Sequence, residues 1–303
     1  MTTDIPSVAL QSTVARPISC EGIGLHTGKN IRMTMRPLEE NSGVVFVRSD
    51  LGASDSAAFV KARFDNVRST TLGTVLRNDA GAEVSTVEHV MAALWACGVD
   101  NCLVEVNGPE APIMDGSAEP FAFMIDCAGV KKQKAKRRVL EIMKEVRVEE
   151  SDGVQGKPPP YLCVRPADGF SVNMTIDFND AFIRRQSGEY DVSKGCFRRD
   201  VARARTFGFA DQVDYLRENG LALGGSLENA IVLKDGVMLN EEELRYTDEF
   251  VRHKILDCVG DLYLAGGYMC GGVEGYRSGH GLNNRLLRAL FADTSAWRYR
   301  EAE

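Results

Sequence analysis

No run of apolar residues in the sequence approaches the ~18 that a membrane-spanning helix needs, so stable membrane insertion is not expected. The first residues, MTTDIPSVALQSTVARP, lack a basic stretch followed by an apolar one, and no signal peptide is expected there. None of the eight cysteines falls in a CxxC pair, and most stand among apolar residues. Free, buried thiols in a reducing cytoplasm fit that usage better than disulfides or a thiolate zinc site. Positive charge is not in excess either. A formal net charge of −7 argues against nucleic acid as the main partner. A working phosphate-binding loop is also missing. Gly22–Lys29 has its outline, but Ile23 stands five residues before Gly28 where glycine is needed, and Asn30 replaces the Ser/Thr that would hold magnesium. A strand follows where a helix should. A glycine-rich hairpin turn carrying His26 is the better reading, which speaks against a nucleotide-dependent kinase.

Histidine is scarce, with only His26, His89, His253 and His280, so each position is informative. The chain of 303 residues is 44% hydrophobic and 26% charged, as in a soluble globular protein of one large or two ordinary domains. Thr247–Gly266 reads as one amphipathic helix. Thr247 is a suitable N-cap, Asp248 and Glu249 suit the first turn, and Gly266 can end it. Along it, His253, Asp257 and Asp261 recur every fourth residue and rise on one side. A histidine and a carboxylate one turn apart can share a metal ion, although such a pair on a wet surface is worth only a few tenths of a kcal/mol. A third ligand must come from elsewhere.

Ser85-Thr-Val-Glu-His89 opens a second apolar helix that ends near Gly98. Two readings are open there. Ser85-x-x-Glu88 is a capping box, and Glu88-His89 equally offers a metal ligand with a carboxylate beside it. A further helix is expected from about Ser117 to Cys127, another from about Ala210 to Gly220, and a hairpin turning at Asp235-Gly236. The last helix starts at His280. The basic run Lys131–Arg138 is expected as a solvated linker, with an anionic lipid surface as the sharper alternative. On either side of it the order recurs: strands, a helix with an early histidine, a strand, a helix. A duplicated βα unit follows, with a first domain over 1–130, the linker 131–138 and a second domain over 139–303.

If the halves face one another, His89 completes His253 and Asp257, and three ligands with an open position are the composition of a catalytic zinc site. Glu88 is then placed as a general base, His280 as an acid or a cationic stabiliser, and Asp261 as the group that orients an imidazole. Residue types alone lead to a metal-dependent hydrolase. A binding or scaffold protein would share the β-rich core without needing the cluster.

The motifs GIGLHTG, STVEH, PIMDGSA, ARTFGF, LGGS, VRHKILDCVGDL and SGHGLNN, in this order, closely resemble the UDP-3-O-acyl-N-acetylglucosamine deacetylases of lipid A synthesis, from about Gln11 to Ala292. The resemblance implies an α+β fold of two similar two-layer βα sandwich domains related by pseudo-symmetry, with the active site between them. It implies a cytoplasmic, monomeric, zinc-dependent amide hydrolase that removes acetate from a UDP-linked, 3-O-acylated glucosamine. Carried over by motif, His89, His253 and Asp257 are the Zn²⁺ ligands and Glu88 the base that activates water. His280 is the acid, oriented by Asp261, and Thr206 helps hold the oxyanion. Lys254 and Phe207 contact the sugar nucleotide, and Leu72 borders the path of the acyl chain. Arg277 stands where the family often has Lys, and with Arg165 it is expected to meet the diphosphate.

Overall fold

Alternation of apolar and polar residues builds two sheets with the same plan. The structure, a computed structural model, describes residues 9–302 apart from 53–55, 152–155 and 193–195. In the first sheet the strands lie in the order Ile18–Ile23, Asn30–Pro37, Cys102–Val106, Val44–Arg48, Phe59–Lys61. Successive pairs are antiparallel, antiparallel, parallel and antiparallel. The second sheet repeats this with Val146–Glu149, Tyr161–Arg165, Tyr268–Tyr276, Phe170–Asp177 and Arg185–Asp191, paired in the same four senses. Arg138–Ile142 and Trp297–Glu301 extend it along the near end of Tyr268–Tyr276. The duplication expected from element order is thus a shared strand order, and the fold is α+β.

Among the described residues the helices are α1 (Glu88–Ala96), α2 (Glu119–Ala128), α3 (Phe197–Asp200), α4 (Ala210–Glu218), α5 (Glu249–Leu262) and α6 (His280–Ala292). A parallel strand pair needs a crossover, and in each half that crossover carries the helix with the early histidine. α1 precedes Cys102–Val106, and α5 precedes Tyr268–Tyr276. α5 lies on Phe170–Asp177 and Arg185–Asp191, α6 on Val146–Glu149 and Tyr161–Arg165, and α1 packs on both α2 and α5. The two helical layers therefore meet in the middle. Every residue of α1 is buried, as suits a helix covered on both sides.

Three local expectations are corrected. α5 begins one turn-position later than expected, after Asp248, and Thr247 supplies no side-chain cap. A 3-10 turn, Tyr263–Ala265, follows before Gly266 takes φ +81°. α2 starts at Glu119, slightly later than expected, and the Ser117 hydroxyl both donates to Asp115 Oδ1 at 2.8 Å and accepts the Glu119 N–H at 3.3 Å. The basic run is not a solvated loop. Val130–Lys136 is a strand antiparallel to Leu10–Val14, and Arg137 is buried. Its guanidinium bonds both carboxylate oxygens of Asp100, at 2.8 and 2.6 Å, and lies 4.3 Å over the Tyr268 ring.

Candidate metal centre

α1 and α5 touch at the backbone because Gly260 has no side chain. A Cβ there would collide with the Glu88 carbonyl oxygen and come within 3.2 Å of Ala92 N. This close approach sets His89 beside the His253–Asp257 turn of α5. His89 Nε2 lies 3.6 Å and His253 Nε2 3.4 Å from Asp257 Oδ1, and the two imidazoles meet edge to face at 5.1 Å. One ligand atom from each of the three residues falls within 4.8 Å of the others. All three side chains are buried.

The arrangement fits a cation better than a network of hydrogen bonds. Asp257 Oδ1, which both Nε2 atoms face, is buried and has no hydrogen-bond partner, a costly state for a carboxylate oxygen unless something else meets it. His253 Nδ1 lies 3.0 Å from the Ala204 carbonyl, which can only accept, so Nδ1 carries the proton and Nε2 is left as a donor pair. Burial drives the His253 pKa down to about 4 despite the Asp257 charge, so this ring is neutral at pH 7, as a ligand must be. Burial pushes the Asp257 carboxyl up, but at the low pH where it titrates the protonated His253 and Lys254 outweigh burial and hold it well below the usual carboxylate range. Lys254 Nζ donates to Asp257 Oδ2 at 2.8 Å. Two imidazoles and a carboxylate, close together and buried, are a donor set suited to a divalent metal of the zinc type.

Glu88 resolves the two readings left open by its sequence. α1 has no side-chain cap, the Ser85 hydroxyl donates to Pro109 O at 3.1 Å, and Thr86 takes a left-handed φ of +57°. The capping box is therefore not made. Glu88 Oε2 instead accepts the backbone N–H of Thr74 at 3.0 Å, and Oε1 lies 4.0 Å from His280 Nε2. Burial raises the Glu88 pKa against the pull of His280 and His89. At the head of α6, His280 Nδ1 meets Asp261 Oδ2 at 2.7 Å. Asp261 also accepts from Thr74 Oγ1 at 2.6 Å and Asn283 Nδ2 at 2.8 Å. Burial opposes the charged imidazole, but Asp261 outweighs it and lifts the His280 pKa to about 9. Thr74 and Asn283 were not among the residues expected from sequence. Asn283, one turn after His280, was legible in principle, whereas nothing near Thr74 signals its role.

Glu88, His89, His253, Asp257 and His280 line an 810 Å³ cavity, within the usual range for small-molecule sites, while Thr74, Asp261 and Asn283 stand behind it. Thr206, Phe207, Lys254 and the half-exposed Leu72 line it too. Phe207 stands edge-on to Phe250 at 5.0 Å and to His253 at 6.3 Å. Around α4 the lining mixes apolar Phe209, Val213 and Leu216 with Gln212, Asp214 and Arg217. Two expected residues stand apart. Arg165 is on the second sheet, paired with Glu145 and Glu274 at 2.7 and 2.8 Å, and does not line the cavity. The sheet offers it two carboxylates, so its charge is already met. Arg277 is outside the lining as well, on the segment that leads to His280. It takes φ +51° and keeps a buried Nη1 without a partner.

Residues 11–292 match the family described as UDP-3-O-acyl N-acetylglycosamine deacetylase. The chain is 46% identical over 289 residues to a UDP-3-O-acyl-N-acetylglucosamine deacetylase of Shewanella violacea, covering 95% of this chain and 91% of that protein. It is 47% identical, with the same coverage, to proteins of the same name from Shewanella loihica and Shewanella frigidimarina.

Proposed function

The chain belongs to the UDP-3-O-acyl N-acetylglycosamine deacetylase family, and from that premise we propose that it hydrolyses the acetamide of a UDP-linked, 3-O-acylated N-acetylglucosamine in lipid A biosynthesis. The proposed metal is zinc, held by His89, His253 and Asp257, and the proposed compartment is the cytoplasm, which suits eight free cysteines. When bound, the ion supplies Lewis acidity, polarising an amide carbonyl and bringing the pKa of a water to roughly 7.

The chain's own residues supply the proton steps. Glu88, with Oε2 tied to Thr74 N–H, has Oε1 left to take a proton from the attacking water. His280, with Nδ1 committed to Asp261, delivers a proton from Nε2 to the departing amine nitrogen. Acetate and the free amine are the products. Thr206 and Lys254 flank the cavity where charge develops on the carbonyl oxygen, and they act there by electrostatic complementarity. The apolar side chains of the cavity take the acyl chain, and Arg277, just off the cavity on the segment that leads to His280, is the cation proposed for the diphosphate.

The observation that carries this reading is the buried triangle of two imidazoles and a carboxylate whose Oδ1 has no hydrogen-bond partner, set beside Glu88 in a large cavity. The test is acetate release from the acylated UDP-sugar. Activity is expected to vanish with a chelator and return with Zn²⁺, and His253→Ala is expected to lose metal and activity together. Full activity in metal-stripped protein would sink it.

A further inference from the structure

The segment Arg203–Thr206 runs along α5 with each residue held by its backbone. Arg203 O accepts from Arg245 Nη1 at 3.0 Å, and Thr206 N donates to Gly116 O at 2.8 Å. Between them, the Ala204 carbonyl accepts from His253 Nδ1, and Arg205 N–H donates to Glu249 Oε1, both at 3.0 Å. These last two groups are the opposite ends of one rigid peptide plane. Their partners, Glu249 and His253, are four residues apart on α5 and so stack one turn above the other. One peptide is thus clamped between two side chains of the same helix.

Glu249 is completely buried and accepts from four N–H groups: Arg205 N, Arg205 Nε at 2.9 Å, Arg205 Nη2 at 3.2 Å and Arg245 N at 2.6 Å. The buried Arg205 also donates from Nη2 to Glu243 O at 3.0 Å. A buried ion pair contributes little net stability, since desolvation offsets the attraction. What such a fully bonded carboxylate does supply is a fixed geometry.

We propose that Glu249 is a positioning residue for the metal centre: by gripping the Arg205 N–H it aims the Ala204 carbonyl at His253 Nδ1, which keeps His253 Nε2 turned toward His89 and Asp257. This rests on the deacetylase reading in that it takes the three-residue cluster to be a metal site. Outer partners of this kind fix the tautomer and ring orientation of a histidine ligand.

Two substitutions in the full chain separate position from charge. Glu249→Gln keeps an oxygen within reach of the Arg205 N–H and loses the charge. Glu249→Asp keeps the charge and withdraws the oxygens by one methylene. Zn²⁺ affinity is measured on metal-free protein against a competing chelating dye, beside the melting curve of the metal-free form. Glu249→Asp is expected to bind Zn²⁺ about 10–100-fold more weakly, and Glu249→Gln within about threefold of the parent, although both melt earlier. An affinity for Glu249→Asp within about threefold of the parent would make the residue a matter of stability alone. If Glu249→Asp does not fold, the metal-free parent decides by nitrogen NMR. His253 is expected as the Nδ1–H tautomer, with the Arg205 amide as protected from exchange as the core of α5, and an Nε2–H tautomer or a freely exchanging amide overturns the proposal. A parent that binds no Zn²⁺ defeats the deacetylase reading, whereas the tautomer still decides what Glu249 does.

Discussion

Glu88 stands where a helix cap and a catalytic base would both want a carboxylate, and its neighbours decide between them. With Oε2 on the Thr74 N–H and Oε1 facing His280, it spends nothing on its own helix. Glu88→Gln is therefore expected to leave the fold and bound metal intact and to slow turnover by about 10²–10⁴-fold. Circular dichroism, metal content and kcat on one preparation check this, and unchanged kcat would remove the residue from the proton path. His280 makes the complementary case. Its folded pKa of about 9 lies above the ordinary histidine value, so the acid form is present at neutral pH and is lost as pH rises through about 9. Its pairing with Asp261 likewise stabilises the fold fully below the unfolded pKa of roughly 6.5 and ceases to do so through the same alkaline window. Asp261→Asn is expected to move the alkaline limb of kcat/KM to lower pH as well as to reduce the rate. A limb that stays in place in that variant would mean another group sets it.

The two histidine helices were readable as helices from periodicity and their ends only approximately, because the caps depend on tertiary partners. Ser85 turned to Pro109 instead of capping α1, and α5 starts after Asp248 with no side-chain cap. The α1–α5 contact was not readable at all. Gly260 lies inside an apolar helix, where a glycine costs about 1 kcal/mol relative to alanine unless packing requires it. Here the backbone of α1 occupies the space a side chain would need. Gly260→Ala is expected to push the helices apart, lowering stability by roughly 1–3 kcal/mol and weakening metal binding, since His89 rides on one helix and His253 and Asp257 on the other. Denaturant unfolding and Zn²⁺ titration measure the two effects, and a variant as stable and as metal-competent as the parent would show that the contact can relax.

Across the whole molecule, two sheets sharing one five-strand order lie outside two helical layers, and the cavity joins groups from both halves with residues of α4. α4 buries none of its residues, although Val213 and Leu216 line the cavity. Those apolar side chains have a use once a chain lies along them. A UDP-sugar without the 3-O-acyl group is expected to lose at least about tenfold in kcat/KM, because each buried methylene is worth roughly 0.8 kcal/mol, and to lose kcat as well, since remote binding places the amide. Equal kcat/KM on both substrates would exclude an acyl role for them.

Local chemistry alone determined the residue types and their spacing: His253 and Asp257 one turn apart, Glu88 beside His89, a histidine early in a crossover helix of each half. Those follow from helical pitch and hold in any context. The ordered motifs carried the family and the reaction. Only the tertiary structure decided which atoms face which. Thr74 reaches Asp261 across 187 positions of chain and Arg205 reaches Glu249 across 44, distances over which sequence spacing sets no geometry. The same limit explains Arg165, a basic residue in a plausible stretch whose charge Glu274 on the adjacent strand and Glu145 just before another had already met. Periodicity tells a side chain which face it occupies, but the partner on that face is chosen by how the sheets and helices close around it.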